Sequence, residues 1–313
     1  MRALVTGATG FVGSHLVERL VATGWDVASL VRPGRTHVVG EPRATSIAGD
    51  LAALDPARRA IRDFAPEVVF HLAWAGVRSA DRDDPIQVET NLPGTLALFR
   101  MVAEAGCRVF VGLGSQAEYG PCDEVIDEDR PLAPRTLYGA AKASAGLLLS
   151  RLAAVGDIRL AWLRLFSCYG PGDRESALIP DLIRRLADGR PASITDWDRP
   201  WDYLHVADAA RAIERCALES GASGAFNLAS GRPTTLRRVA ERLRAVVGGE
   251  SEIVPIRSPV PLPSLRADVS RLRSATGWSP SIDLDDGLRA TATELAGNLT
   301  NAPRPTTTGG RKR

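Results

Sequence analysis

The segment that most constrains this chain lies at its very start. An apolar run, Ala3 to Val5, passes straight into Thr6-Gly7-Ala8-Thr9-Gly10-Phe11-Val12-Gly13 and then into a helical pattern from Ser14. Glycines at this spacing permit a tight turn and let the backbone approach a bound pyrophosphate. The helix N-terminus adds amide donors and a favourable dipole. A glycine-rich turn alone is common. Between an N-terminal apolar strand and an amphipathic helix it predicts a dinucleotide-binding βαβ unit. Gly7, Thr9, Gly10, Phe11 and Val12 are the turn residues expected to meet the cofactor.

The rest of the first half repeats this rhythm. Val27 to Val31, Ile47 and Ala48, Val68 to Ala73, Val109 to Leu113 and Leu160 to Phe166 read as buried strands. His15 to Thr23, Pro56 to Phe64, Pro85 to Ala105 and Thr136 to Ala154 carry apolar residues at helical spacing. Strands alternating with helices predict an α/β fold, a doubly wound parallel sheet covered on both faces. After Phe166 Gly and Pro punctuate the chain at Gly170-Pro171-Gly172, Gly189-Arg190-Pro191 and Gly231-Arg232-Pro233. Helical patterns at Ile179 to Ala187 and Leu236 to Val247, a Pro-rich stretch from Pro255 to Pro263 and a last helix near Leu284 to Ala296 follow. The expected organisation is a dinucleotide-binding domain over residues 1–166 and a smaller, less regular α/β substrate domain over 167–297, with some segments returning to the sheet. A polar tail, expected to be disordered, covers 298–313.

Composition removes several function classes. No segment approaches the run of about 18 apolar residues that spans a bilayer. The first strand begins without a basic region, apolar stretch and cleavage site, so a cytoplasmic protein is expected. Cys107, Cys122, Cys168 and Cys216 have neither metal-ligand spacing nor a disulfide framework. No metal is expected. A formal charge of +2 makes no case for nucleic acid.

The end of the second strand bears on which dinucleotide binds. NAD sites usually carry an acid about 20 residues beyond the turn, for the adenosine ribose hydroxyls. Here the strand ends in Arg32-Pro33-Gly34-Arg35, and no acid stands between Asp26 and Glu41. Asp26 lies too early, at the strand's start. A guanidinium at that strand end can pair with a 2′-phosphate in bidentate fashion. NADP(H) is favoured, with NAD(H) as the other choice and Arg32 as a plain surface arginine the bland reading.

The reactive groups follow in Tyr138-Gly139-Ala140-Ala141-Lys142. A four-residue offset puts phenol and ammonium on one helical face. A phenol titrating near 10 exchanges protons poorly at neutral pH, and a nearby ammonium favours its ionised form. Of the 39 basic residues only Lys142 and Lys312 are lysines. A lysine kept in the folded body suggests a place where arginine cannot serve. Ser115 closes the strand Val109 to Leu113, at the edge where open parallel sheets bind ligands, and its hydroxyl can hold a substrate carbonyl.

With these residues in view the chain resembles an extended short-chain dehydrogenase/reductase of the nucleotide-sugar epimerase/dehydratase/reductase family, built on a Rossmann sheet. The resemblance runs to about Ala296. It rests on the glycine turn, Asp50-Leu51, His71-Leu72-Ala73, Asn91-x-x-Gly94-Thr95, Ser115, Tyr138 with Lys142, and Arg164-Leu165-Phe166 leading to Tyr169-Gly170-Pro171-Gly172. Trp201-Asp202-Tyr203-Leu204-His205-Val206-x-Asp208 and Phe226-Asn227-Leu228 complete it. It implies Ser115 as carbonyl anchor, Tyr138 as general acid/base and Lys142 as its activator. It further implies Asp50 and Leu51 near the adenine, with Leu72, Ala73, Asn91 and Phe166 along the cofactor. A homodimer through two helices of the first domain is a further implication.

Within that family the residues after the serine discriminate. Dehydratases carry an Asp-Glu pair there and epimerase-reductases a cysteine. This chain has Gln116 and Ala117, leaving a minimal Ser-Tyr-Lys set. GSQAEYG with Trp-Asp-Tyr-Leu is similar to reductases of 4-keto-6-deoxy nucleotide sugars. The expected activity is NADPH-dependent reduction of the 4-keto group of a nucleotide-linked deoxysugar. The alternatives are a 4-epimerase that retains NAD, a reductase of non-nucleotide ketones, and a non-catalytic dinucleotide sensor. Ser167 stands where many relatives have Asn and Trp201 where they have Arg. Gln116, Ser167, Trp201, Arg199 and Arg266 are the substrate-contact candidates, the two arginines for the diphosphate. His71 and His205 read as structural, the latter within a Leu-His-Val strand.

Overall fold

The computed structural model describes residues 1–34, 44–195, 197–248, 250–257 and 263–301. In chain order the first half comprises β1 (Arg2–Thr6), α1 (Phe11–Ala22), β2 (Asp26–Val31), β3 (Ala44–Ala48), α2 (Arg58–Phe64) and β4 (Val68–His71). It continues with α3 (Leu92–Glu104), β5 (Val109–Ser115), β6 (Val125–Ile126), α4 (Leu137–Val155) and β7 (Arg159–Leu165). The second half adds β8 (Ser167–Tyr169), α5 (Leu178–Ala187), β9 (Ala192–Thr195), β10 (Pro200–Trp201), β11 (Tyr203–His205) and α6 (Val206–Leu218). The last elements are β12 (Gly224–Leu228), β13 (Thr234–Thr235), α7 (Leu236–Val247), β14 (Ile253–Ile256), β15 (Arg266–Ala267), α8 (Ser270–Thr276) and α9 (Leu284–Asn301).

Seven strands form one sheet in the order β12-β7-β5-β4-β1-β2-β3, and every pairing is parallel. Parallel neighbours need crossovers, and the crossover helices cover both faces. Successive strand residues point to opposite faces. Ala3 and Val5 therefore join Leu16, Leu20 and α6's Ile213 on one side. Leu4 meets Ile61, Leu98, Val102 and α4's Leu149 on the other. The chain reverses its direction across the sheet at β1, between β2 and β4. That reversal opens a crevice at the carboxyl ends of the strands, directly above the glycine turn.

Three places differ from the pattern read along the chain, and at a fourth a late segment returns to the sheet in keeping with it. The single helix expected from Pro85 to Ala105 is divided. A π-helical turn, Gln87–Asn91, precedes α3, whose second residue is Pro93. Proline has no N–H to give to a preceding turn, so the α-helical ladder restarts there. The Leu204-His205-Val206 strand is cut short. His205 ends β11, and its Nδ1 accepts from the Ala207 amide to cap α6. Gly224–Leu228 rejoins the main sheet beside β7. Finally α9 continues to Asn301, so residues 298–301 are helical; the remainder of the expected tail lies outside the described residues.

The smaller lobe is built around α5, α7 and α9. Ile179, Leu182, Ile183, Val239, Leu243 and Leu288 form its core, and short strand pairs such as β14 with β9 and β11 with β8 flank it. Two buried aspartates tie the lobe to the sheet's last strand and to α6. Asp202 accepts from the amides of Ser230 and Gly231, and Asp208 from those of Ser281 and Ile282. Among the described residues no helix is long and apolar enough to cross a membrane.

Candidate active site

The glycine turn sits where β1 meets α1, and its shape depends on missing side chains. Gly7 has φ +71°, and a Cβ there would lie 2.7 Å from the Ala73 nitrogen. A Cβ on Gly13 would fall 2.0 Å from the Gly7 carbonyl oxygen. The cradle is thus bare backbone from both sides. Gly10, the N-cap of α1, offers no side-chain cap, and the first turn of α1 contains no acid. The amides at the helix start stay available to an anion, which suits a pyrophosphate.

A cleft of about 720 Å³ opens from this turn across the sheet edge to the smaller lobe. Gly7, Gly10, Phe11, Val12, Leu72, Ser115, Tyr138, Lys142, Phe166, Ser167 and Trp201 all line it, together with Gly13. Ser115 from β5 and the Tyr138–Lys142 pair from α4 therefore share one space. Ser115 ends β5 and caps the turn Gln116–Glu118, its Oγ accepting from the Ala117 amide at 3.2 Å. Tyr138 and Lys142 sit in the first turns of α4, which Thr136 caps. Burial raises the Tyr138 phenol above its ordinary value, while a hydrogen bond with Ser115 and the charge of Arg82 oppose that shift.

Lys142 is almost wholly buried. Its Nζ donates to the Leu113 carbonyl at 2.6 Å and lies 3.8 Å from the Trp74 ring centroid. Burial lowers its pKa to about 7, with Glu118 pulling the other way. Trp74 is steered by Gln87, whose Oε1 accepts from the indole at 2.7 Å. His71 is structural. Its Nδ1 pairs with Thr6 Oγ1 at 2.8 Å and its Nε2 with Thr95 Oγ1 at 2.9 Å. Burial and then Lys142 hold its pKa at about 3.

Beneath Ser115 lies a buried ion pair. Glu118 Oε1 accepts from the Ser115 amide at 2.8 Å and from Trp162 Nε1 at 3.0 Å. Its Oε2 accepts from Arg164 Nε at 2.8 Å. Arg164 also donates to the Tyr119 hydroxyl, which in turn donates to Asn227 Oδ1 at 2.7 Å. Glu118 is therefore spent on holding the serine's strand end and does not face the cleft. Phe226-Asn227-Leu228 is explained by the same network.

Other sequence candidates lie elsewhere. Arg32 is exposed at the end of β2, and Asp50 and Leu51 follow β3, both on the side of the turn remote from Ser115. Thr9 is exposed on the turn. The Ala73 amide donates to Thr6 Oγ1. Asn91 does not reach the cleft; its amide grips both backbone groups of Ala75 and Gln87 Oε1. Its place is fixed by the π-turn, and it holds the loop after β4. Gln116 is half-buried and does not line the cleft. The two arginines expected at the diphosphate are both taken by Asp123. Arg199 Nη1 bonds its carboxylate at 2.9 Å and Arg266 its carbonyl. Neither lines the cleft. The arginines that do are Arg82 and Arg174, and the carboxylate is Asp173, pushed up by burial. Gly170-Pro171-Gly172 was the signal for the last two, which follow it directly.

A doubly wound sheet with a bare glycine cradle at its switch point, and a Ser-Tyr-Lys cluster beside it, defines an NAD(P)-dependent enzyme of the extended short-chain dehydrogenase/reductase type. The chain belongs to the NAD dependent epimerase/dehydratase family, which matches residues 3–229. It is 30% identical to a UDP-glucose 4-epimerase of Mycolicibacterium smegmatis over 312 residues, covering 93% of this chain and 97% of the relative. It is 31% identical to the GDP-6-deoxy-D-mannose reductase of Pseudomonas aeruginosa over 303 residues, 92% and 95% of the two chains. The solved structure of RMD from Pseudomonas aeruginosa complexed with NADPH superposes with a TM-score of 0.80 at 28% identity, over 95% of this chain and 99% of that one.

Proposed function

We propose that the protein reduces the 4-keto group of a nucleotide-linked deoxysugar with NADPH. The observation that carries this reading is the carboxyl end of β2. Arg32 stands there, and the strand's own acid, Asp26, pairs in register with Arg2 at the opposite edge of the sheet. A guanidinium at this position suits a 2′-phosphate, whereas a ribose diol would call for a carboxylate. A cofactor exchanged at each turnover fits a net reductase.

In this reading the cradle from Gly7 to Gly13 and the start of α1 hold the pyrophosphate, and Lys142 holds the ribose beside the nicotinamide. When bound, the reduced nicotinamide supplies a hydride to the carbonyl carbon. Ser115 orients the carbonyl through a hydrogen bond to its oxygen. Tyr138 donates the proton that completes the alcohol, and Lys142 favours the phenolate left behind. Glu118 is locked under Ser115 and Gln116 is an amide that does not line the cleft, so the cluster lacks the acid-base pair that water elimination requires. Arg174, exposed at the cleft wall, is the group we assign to the diphosphate. Residues 167–297 then act mainly as the substrate lobe, and a homodimer would pack through α3 and α4, where Leu147 and Leu148 are exposed.

A second reading, a 4-epimerase that keeps its nicotinamide, is favoured by the similarity to the UDP-glucose 4-epimerase over 93% of the chain. The purified protein distinguishes them. Consumption of NADPH with a 4-keto-6-deoxy nucleotide sugar, by protein that loses its dinucleotide on dialysis, supports the reductase. Nicotinamide retained through dialysis, with no net consumption, overturns it. Arg32→Ala should weaken NADPH by about 10-fold or more and leave NADH nearly unchanged, since a charge-assisted contact contributes about 1.5–3 kcal/mol. Equal losses would remove the assignment. Failure of free nucleoside diphosphates to inhibit would point to a smaller ketone.

A further inference from the structure

The loop after β4 brings a second basic group, a guanidinium, to the phenol. Arg82 is half-buried, lines the cleft, and carries its guanidinium carbon 5.5 Å from the centroid of the Tyr138 ring. It is held there by the start of α4 itself. The Tyr138 amide donates to the Arg82 carbonyl at 2.8 Å, and the Leu137 amide to Asp83 Oδ1 at 2.9 Å. The Arg82 Nε is buried with no hydrogen-bond partner. Loop and phenol are thus registered by backbone, and the charge is not diverted into an ion pair through that nitrogen. Lys142 is differently placed. It is buried against the Trp74 face and bonded to the Leu113 carbonyl, surroundings that weaken its hold on a proton.

We propose that Arg82 is a positioning residue that stabilises the phenolate form of Tyr138 alongside Lys142. The inference rests on the reading of Tyr138 as the proton carrier. The groups around the phenol are Lys142 on its own helix, Ser115 at the end of β5, Trp74 and Arg82 on the loop after β4, and Arg174 after β8, with the charge of Glu118 acting from beneath Ser115. Of the cations among them only Arg82 has its guanidinium over the ring.

The chain has four tyrosines, and burial raises Tyr119, Tyr169 and Tyr203 as well. Ultraviolet difference titration of the full-length protein, with the matching Tyr138→Phe variant subtracted, isolates the Tyr138 phenol without any substrate. Arg82→Gln and Arg82→Met should each raise its midpoint by about 1 pH unit, and Arg82→Lys should leave it near the parent value. Using two neutral variants keeps the comparison available if one does not fold. An unmoved midpoint in the neutral variants overturns the inference, as does a Lys variant that shifts as far as Gln. The catalytic reading fails separately, if Tyr138→Phe retains turnover.

Discussion

Replacing Glu118 by alanine tests how the fold underwrites the site. The side chain is fully buried and accepts three bonds, from the Ser115 amide, Trp162 Nε1 and Arg164 Nε. Removing it leaves Arg164, itself 7% exposed, with Tyr119 and the Glu128 carbonyl as its neighbours and no carboxylate on its Nε. Breaking one side of a buried ion pair costs about 3–5 kcal/mol, a large share of the roughly 5–15 kcal/mol that holds a domain together. Thermal melting should fall by about 10 °C. The Ser115 amide loses its acceptor, so the hydroxyl we propose to orient the carbonyl shifts. Turnover should then drop by about 10-fold or more, while dinucleotide affinity, set at the glycine turn, stays close to the parent. The double variant Glu118→Ala, Arg164→Met should regain much of the stability, because no charge is left stranded. A single variant melting within about 2 °C of the parent would refute the account of Glu118 as the strut beneath the serine.

Gly13→Ala should weaken nicotinamide dinucleotide binding by about 10-fold or more, because its Cβ would lie 2.0 Å from the Gly7 carbonyl oxygen and the cradle must open. Gly10→Ala, at 3.1 Å from the same oxygen, should be much milder; cofactor titration ranks the two. His71 is held near 3 in the fold against 6.5 as its ordinary value. The unfolded chain therefore binds the extra proton first as pH falls through 6.5. Stability should decline from about pH 6.5 downward by up to 4–5 kcal/mol near pH 3, and denaturation of the parent against His71→Gln isolates that slope. Lys142→Arg should abolish most turnover, since the longer, planar fork does not fit between Leu113 and the Trp74 face; normal kinetics would contradict that packing.

The readable parts of this protein are those written locally. The glycine turn, the apolar strands and the four-residue offset of Tyr138 and Lys142 depend on neighbours in the chain, and each appears where its pattern places it. Ser115 is legible for the same reason, as the end of a strand. Features set by distant partners are not. Arg199 and Arg266 look like any of the chain's many arginines, and only the fold reveals that both are taken by Asp123. Arg82 and Trp74 reach the phenol from a loop whose path depends on Gln87 and Asn91. Asn91 carries a motif's signal, yet its amide is consumed by the Ala75 backbone. The start of α6 is hidden because Leu204, His205 and Val206 suit a strand as well as a cap.

The late return of Gly224–Leu228 to the edge of β7 has a consequence for biosynthesis. As the polypeptide leaves the ribosome, the strand beside it is missing until residue 228 has emerged, and so is α6, which shields Leu16 and Leu20. A nascent chain halted near residue 166 therefore carries a naked β-edge and an uncovered greasy flank, the two hallmarks of a species that sticks to its neighbours. Vectorial assembly of the dinucleotide half cannot finish first; it waits for sequence that belongs, by order, to the other lobe.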